Sequence, residues 1–459
     1  MLRKALNRII DSFNGQDREE NVLPYTEKQK LTLSETADLI HSIFSRNGEI
    51  QERLLKARSG VLSEALYIEK EIVRILNDQN KQVIGMSTEE AARLIYSKNW
   101  GLGVCEKYNR DPLVDEIRVN RPDQIFIVKQ GKPYRVPEAF ENEQEVESVI
   151  KRMFMDDVGA FLDKSNPTVE SVRKDGSRLT ATCPPVTDTW TFVLRKHGTF
   201  YPTKENYLRT ETMDKKCWDM LTLLAKGRAS IIISGNVGAG KTTLMRALVG
   251  QLHDDLRIIC IGKDSELRLS AHYPDKDIIE MEEHAQVGAD MANLFTKILR
   301  YSPDLIITEE FRSAEETLQA IRACNRGLPG SMASAHFGSA EEAVEGAGLM
   351  LIEQGLNLNL EMAKLKVARA FNIVVQLYSD TVSGKKKLIS ITEIHVDKEK
   401  NITFRDLIRW TPSGSNYMGK GTWETIDYPS NELIAHLLKN VNEEDLGVVG
   451  WTLPPIRTL

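Results

Sequence analysis

Long uncharged hydrophobic runs are missing from this 459-residue sequence, and cysteine is scarce. No stretch approaches the roughly 18–20 apolar residues that a membrane-spanning helix requires, so we expect no such helix. The five cysteines form no Cys-x-x-Cys pair, which gives no support to a zinc site or a disulfide framework and fits a reducing cytoplasm. Positive charge is not in excess, since 60 lysines and arginines face 66 aspartates and glutamates. That balance argues against a surface that coats nucleic acid.

The composition is that of an ordinary globular protein, with 41% hydrophobic and 27% charged residues. Because single hydrophobic cores stop growing beyond about 250–300 residues, the length predicts several domains. Changes in composition and apolar period predict six segments. These are a flexible or amphipathic segment at 1–24, a helical module at 25–100, an α+β domain at 101–205, a linker at 206–213, an α/β domain at 214–415 and a C-terminal extension at 416–459.

The N-terminal stretch MLRKALNRIIDSF has apolar residues at helical spacing, with basic residues nearby. A helix that docks on a membrane surface or a partner has this pattern, and so does a helix that packs on its own domain or frays. Charges among the apolar residues are not typical of a signal peptide. We therefore expect a cytoplasmic protein.

The spacing of apolar residues predicts the secondary structure. Helices are predicted near 32–46, 49–78, 87–100, 143–163 and 214–226, and strands at EIRVN, QIFIV, PYRV, RLTATCPPV and WTFVLRK. From residue 230, the apolar strands ASIIISG, RIICIG, DLIITEE and SMASAHF alternate with helices predicted at 241–252, 288–300 and 313–326. This alternation is typical of a parallel sheet with helices on both faces.

The segment GNVGAGKTT lies between an apolar strand and a helical run, and it matches the pattern GxxxxGK[ST]. Its glycines allow successive N–H groups to point at a phosphate, and the helix N-terminus adds partial positive charge. Lys241 is predicted to bridge the terminal phosphates, and the Thr242 hydroxyl to ligate Mg²⁺. ATP with Mg²⁺ is the expected ligand. The predicted binding residues of the loop are Gly235, Gly238, Ala239, Gly240, Lys241, Thr242 and Thr243.

Hydrolysis also needs carboxylates that hold metal and position water. Glu310 follows an apolar strand and is the candidate for water activation or Mg²⁺ support, because ligands bind at the carboxyl ends of strands in open α/β sheets. Its neighbour Glu309 can simply be solvated. Asp264 and Glu266 follow the strand RIICIG, where a catalytic role and a turn or capping role are equally plausible. His336 ends another predicted strand, although a lone histidine is more often structural than catalytic.

Residues 100–410 resemble the ATPases of type II and type IV secretion and pilus assembly, and most of all the CpaF/TadA branch that powers Flp/Tad pili. The resemblance is carried in order by WGLGVCEKYNRDPLVDEIRVNRPDQIFIV, KDGSRLTATCPPV, WTFVLRK, the phosphate loop, PDLIITEEFR, GLPGSMASAHFGSAEEA and KKKLISITEIHV. It implies a RecA-like P-loop NTPase domain with a parallel sheet, of the α/β class. A small α+β domain and an N-terminal helical module would precede that domain.

The resemblance also implies roles for particular residues. Arg178 and Arg195 fall on positions whose arginines reach the phosphates from the preceding domain. Arg312 follows the Walker B glutamate as in the signature G-E-x-R, and His336 matches the family's histidine box. The expected catalytic set is then Glu310, Glu266, His336 and Arg312.

The sequence departs from the family at its aspartate box, where the usual I-E-D-x-x-E-L reads IGKDSEL. Gly262 and Lys263 replace the Glu-Asp pair, the glycine before the Walker B glutamate is Glu309, and an arginine usual near the end of the following strand is Glu283. Losing the first glutamate removes a carboxylate suited to positioning water, which can cost several kcal/mol of barrier. Asp264, one place along from the replaced pair, is a candidate substitute.

These observations predict an oligomeric Mg²⁺-dependent ATPase that powers pilus assembly or protein secretion at the cytoplasmic membrane face. The resemblance implies a homo-hexamer, an inner-membrane platform protein as partner, peripheral membrane association through partners and no direct contact with nucleic acid. Two alternatives stay open. One is an ATP-binding structural ring with weak hydrolysis, which Gly262-Lys263 motivates, and the other is a conjugative (type IV) transfer ATPase.

Overall fold

The computed structural model describes residues 29–129, 131–155, 161–196, 202–263, 266–311 and 313–453. The chain divides into two compact units. The first contains the segments Met1–Arg110, Phe140–Ala160 and Arg173–Asp175, and the second contains the remainder. The apolar stripe predicted within residues 1–24 lies outside the described residues. Among the helices that the structure describes, none is long and apolar enough to cross a membrane.

The first unit is a helical module with a short two-stranded parallel sheet. Its helices are α1 Leu33–Phe44, α2 Gly48–Arg58, α3 Leu62–Asp78, α4 Thr88–Asn99, α5 Glu106–Arg110 and α6 Glu143–Met153, and its strands are β1 Gln29–Leu31 and β2 Lys81–Val83. A 3₁₀ turn at Gly103–Cys105 precedes α5. The helices pack on a core that includes Phe44, Ile68, Ile72 and Trp100.

Local sequence explains most of the helix boundaries in this unit. The Thr32 side chain accepts the Glu35 N–H and the Glu35 carboxylate accepts the Thr32 N–H, so a capping box starts α1. The Ser87 side chain accepts the Glu90 N–H at the start of α4 and so caps this helix. The single helix predicted at 49–78 is wrong, because the chain turns at Gly60, whose φ of +102° disfavours any side chain.

The second unit contains a six-stranded antiparallel sheet. Its strands are β3 Val114–Arg121, β4 Gln124–Lys129, β5 Lys132–Arg135, β6 Thr168–Val172, β7 Arg178–Thr182 and β8 Thr191–Arg195, in the order β5-β4-β3-β8-β7-β6. Every second side chain along these strands is buried, for example Leu179 on β7 and Leu194 on β8, as the two-residue period of a strand predicts. Arg178 and Arg195 are direct partners across β7 and β8. Strand β6 has no counterpart in the predictions.

A larger mixed sheet forms the centre of this unit. Its strands are β9 Ile231–Gly235, β10 Ile258–Gly262, β11 Ile278–Glu282, β12 Leu305–Thr308, β13 Met332–Ala335, β14 Ile373–Ser379, β15 Lys386–Val396, β16 Ile402–Pro412 and β17 Gly421–Glu424. Their order is β11-β10-β12-β13-β9-β14-β15-β16-β17. Strands β9 to β14 are mutually parallel, which confirms the predicted parallel sheet, and β15 to β17 extend it in antiparallel fashion.

Helices cover both faces of the mixed sheet. They are α7 Lys204–Arg209, α8 Lys215–Lys226, α9 Lys241–Val249, α10 Leu269–His272, α11 Met291–Ile298, α12 Ala314–Asn325, α13 Ala340–Glu353, α14 Leu360–Ala370, α15 Asn431–Leu437 and α16 Glu443–Val448, with 3₁₀ turns at Ala285–Val287 and Leu299–Tyr301. Ile231 and Ile233 belong to one apolar core and Ile232 to another. This alternation follows from the strand period and places one core on each face.

The C-terminal extension packs on the first of these cores. Leu433, Leu437 and Trp451 are nearly fully buried in the same cluster as Ile231. The Glu393 carboxylate, 2% exposed, accepts the backbone N–H of Ser430 at 2.8 Å and the Ser430 hydroxyl. This buried carboxylate therefore fastens the start of α15 to strand β15.

Glu393→Ala is expected to loosen α15 and α16. The variant leaves the buried Ser430 N–H without its acceptor, which costs about 1–3 kcal/mol. Amides in Asn431–Val448 should then exchange hydrogen roughly 5- to 150-fold faster, measured by mass spectrometry. The exposed Glu399→Ala serves as the control and should leave the exchange unchanged. Equal exchange in the two variants would contradict this role of Glu393.

Candidate functional site

The phosphate loop joins the central strand of the mixed sheet to a helix, as its motif predicts. Gly235 ends β9, Gly238, Ala239 and Gly240 lie in the loop, and Lys241, Thr242 and Thr243 form the first turn of α9. Gly240 has φ +92°, in the left-handed region that side chains disfavour, and it serves as the N-cap of α9. The N–H groups of the first turn of this helix and the helix dipole suit the loop to an anion.

Lys241 contacts the loop and the predicted histidine, His336. Its side chain donates to the carbonyl oxygen of Gly235 at 3.1 Å, and Lys241 is 8% exposed. His336 follows β13, and Lys241 Nζ lies 3.2 Å from its Nδ1 and 3.1 Å from its Nε2. The same Nε2 lies 2.6 Å from Glu310 Oε1. His336 therefore contacts both Lys241 and Glu310.

The order of the strands explains this meeting. β13 lies between β9 and β12 in the sheet, and all three are parallel. Their carboxyl ends therefore share one edge, which brings Lys241, His336 and Glu310 together although they are distant in sequence.

Glu266 contacts both Thr242 and Arg178. The Thr242 hydroxyl donates to Glu266 Oε2 at 3.2 Å, and Arg178 Nη1 lies 2.5 Å from Glu266 Oε1. Arg178 begins β7 of the six-stranded sheet, and through Glu266 it is linked to the first turn of α9. Its contact with a phosphate stays a prediction. Glu266 thus connects the predicted Mg²⁺ ligand to one of the predicted phosphate-binding arginines.

Arg195 and a lysine that the sequence analysis missed lie near the same loop. Arg195 is exposed at the end of β8, opposite Arg178. The side chain of Lys386 comes within 3.9 Å of the position that a Cβ on Gly240 would take. The pKa of Lys386 is lowered, mainly by burial. The charge of Asp115 opposes this shift, and the charge of Arg195 adds to it. The signal for Lys386 was the run KKKLISITEIHV, which the resemblance quoted without assigning its lysines a role.

Glu309 is turned toward the interior of the site, and its interpretation as a solvated side chain is wrong. Its Oε1 accepts the backbone N–H of Leu267 at 3.1 Å. Burial raises the pKa of Glu309 to about 7, while hydrogen bonds from the backbone of Leu267 and Glu266 act in the opposite direction. The carboxylate therefore belongs to the wall of the site.

Three other predicted or divergent positions have different outcomes. Asp264 and Arg312 lie outside the described residues, so their roles stay predictions. Glu283, where the resemblance has an arginine, accepts the Met291 N–H at 3.0 Å at the start of α11. Its carboxylate therefore has a local role at a helix N-terminus, which favours negative charge.

The described residues contain no cluster of three or more His, Cys, Asp or Glu side chains arranged for a metal. Mg²⁺ bound with a nucleotide needs no such cluster, because it takes one or two protein ligands, water and phosphate oxygens. The hydroxyl of Thr242 with the carboxylate of Glu266 beside it fits that requirement.

Comparison with known proteins places these features in a family. Residues 99–379 match the model described as type II/IV secretion system protein. The type IV secretion system protein VirB11 of Brucella abortus biovar 1 is 27% identical over 338 residues, covering 66% of this chain and 91% of that protein. The conjugal transfer protein TrbB of Rhizobium radiobacter is 23% identical over 295 residues, covering 63% of this chain and 86% of that protein.

Solved structures of similar proteins include an ATPase and a pilus retraction motor. The VirB11 ATPase of the Brucella suis type IV secretion system, in complex with sulphate, is 25% identical with a TM-score of 0.35, covering 62% of this chain and 91% of that chain. The pilus retraction motor PilT with bound ADP is 15% identical with a TM-score of 0.42, covering 75% of this chain and 95% of that chain.

The family match includes the phosphate loop, Glu310 and His336, and it extends over more than half of the chain. It confirms the broad resemblance to secretion ATPases, whereas the assignment to the CpaF/TadA branch stays a prediction. The chain belongs to the type II/IV secretion system protein family, and it is a P-loop nucleoside triphosphatase of that family.

Proposed function

We propose that this secretion-system ATPase hydrolyses ATP with Mg²⁺ to power a type IV secretion or conjugal transfer machine. The observation that carries the hydrolytic part is the connection of Lys241, His336 and Glu310 at the edge of the sheet beside the phosphate loop. The type IV part rests on the similarity to VirB11 and TrbB, whose names describe secretion and conjugal transfer.

The side chains divide the proposed chemistry among them. The loop N–H groups and Lys241 bind the phosphates, and Arg178 and Arg195 neutralise charge as it develops in the transition state. Glu310 orients the attacking water and accepts its proton, with His336 holding the carboxylate in place through the 2.6 Å contact. Thr242 would hold Mg²⁺, which would supply further charge neutralisation to the phosphates.

The assembly and the location are further parts of the proposal. A homo-hexamer at the cytoplasmic face of the membrane, attached through an inner-membrane platform protein, follows from the resemblance described above. In this arrangement the protein is cytoplasmic and reaches the membrane only through partners. Domain motion driven by turnover would then be transmitted to the machine rather than to DNA.

Deleting the gene in its host and complementing it tests the biological part of this proposal. We expect loss of effector or DNA transfer, restored by the wild-type gene and not by Lys241→Ala, with Flp-type surface fibres unaffected. Loss of the surface fibres with transfer intact would contradict the type IV assignment and favour a pilus-assembly ATPase of the CpaF/TadA kind.

A further inference from the structure

Gly262 and Glu309 lie side by side at the ends of neighbouring strands. β10 and β12 are parallel, with Ile261 paired to Thr308, so the next residue on each strand comes to the same edge. The Glu309 N–H donates to the Ile261 carbonyl at 3.0 Å, which continues the pairing. A Cβ placed on Gly262 would lie 2.0 Å from Glu309 Oε2 and 2.6 Å from its Cγ. The side chain of Glu309 therefore fills the space that a side chain at position 262 would need.

The filled space is next to the turn that carries Glu266. Through one oxygen, Glu309 accepts the Leu267 N–H at 3.1 Å, and its carboxylate is also hydrogen-bonded by the backbone of Glu266. The Glu266 side chain in turn contacts Thr242 and Arg178. Glu309 thus anchors the backbone from which Glu266 reaches the phosphate loop.

We infer that Gly262 and Glu309 are a reciprocal exchange, in which the carboxylate missing from strand β10 is supplied by Glu309 from strand β12. Glu309 acts as a positioning residue that holds Glu266 against Thr242 and Arg178. The role in turnover rests on the proposed ATP hydrolysis, whereas the anchoring of the turn does not.

The exchange predicts that two damaging substitutions cancel. Glu309→Gly removes the anchor, and Gly262→Glu forces two side chains into one space, so each alone should lower kcat by about 10- to 100-fold. The double variant places one carboxylate in the same space from the other strand, and its kcat should return to within about fivefold of wild type. A double variant no better than the worse single variant would overturn the exchange.

Hydrogen exchange of the Leu267 amide tests the anchor in the nucleotide-free protein, without reference to turnover. We expect exchange at least about tenfold faster in Glu309→Gly and near wild-type exchange in both the double variant and Glu309→Gln, whose amide oxygen still accepts. The matched control is Glu282→Gly, on the strand at the other side of Gly262, which should leave Leu267 unchanged.

Hydrogen exchange at Leu267 tests the anchor, and kcat tests its role in turnover. Unchanged Leu267 exchange in Glu309→Gly would overturn the anchor even if the wild type hydrolyses ATP. Absence of wild-type turnover would overturn the proposed hydrolysis and leave the anchor to be decided by exchange alone. If Glu309→Gly fails to fold, Glu309→Leu replaces it, because its side chain fills the same space and accepts no hydrogen bond. Leu267 exchange unchanged from wild type in that variant would overturn the anchor.

Discussion

Lys241→Ala is expected to reduce ATP turnover by at least about a hundredfold. The ammonium group belongs to the first residue of the helix that follows the loop, and removing one preorganised group that stabilises transition-state charge typically costs about 10²–10³ in kcat. In the nucleotide-free protein the same group contacts the Gly235 carbonyl oxygen and His336. The fold should therefore survive its removal.

Phosphate release with ATP and Mg²⁺ is the measurement for this variant. Lys226→Ala provides the matched control, because Lys226 is exposed at the end of α8, which precedes β9, whereas the loop follows β9. The control should retain wild-type turnover. Wild-type turnover in Lys241→Ala as well would mean that the loop is not the hydrolytic site.

Glu310→Gln is expected to lower kcat by about 10²–10³ with little change in KM. The amide cannot accept the proton of the attacking water, whereas nucleotide binding depends on the loop and on Lys241. The shape of the side chain is kept, so the contact with His336 can persist as a neutral hydrogen bond. The variant should bind ATP and retain it unhydrolysed, which a filter-binding assay with labelled ATP can measure.

Glu309→Gln is the matched comparison for this second prediction. The two carboxylates are adjacent in sequence, yet Glu310 lies against His336 and Glu309 against the backbone of Leu267. We expect only a few-fold loss for Glu309→Gln, because an amide oxygen still accepts a backbone N–H. A near-normal Glu310→Gln together with an inactive Glu309→Gln would reverse the roles assigned to these residues.

The phosphate loop was predictable to the residue because its determinants are local. A buried strand, glycines at fixed positions and a lysine at the start of a helix are all contained in residues 231–243, and the helix begins at Lys241 as expected. The location of His336 and Glu310 at the same edge of the sheet was predictable, since both follow parallel strands whose carboxyl ends meet at one edge. Their 2.6 Å contact required the strand order, which the sequence pattern did not specify.

Features that depend on distant contacts were missed or misinterpreted. Glu309 looked solvated because its acceptor role depends on the turn at Leu267 and on the space left by Gly262, which belong to another strand. The antiparallel strands β15 to β17 carry no motif that distinguishes a sheet extension from a separate hairpin. The break at Gly60 was hidden because the apolar period continues on both sides of it.

We propose that this chain hydrolyses ATP at the loop, rather than binding it as a structural ring. Phosphate release by the purified assembled protein, measured with and without Mg²⁺ alongside nucleotide binding, distinguishes the two. We expect Mg²⁺-dependent turnover that disappears in Lys241→Ala. A wild-type protein that binds Mg²⁺–ATP normally and releases phosphate no faster than Lys241→Ala would contradict it.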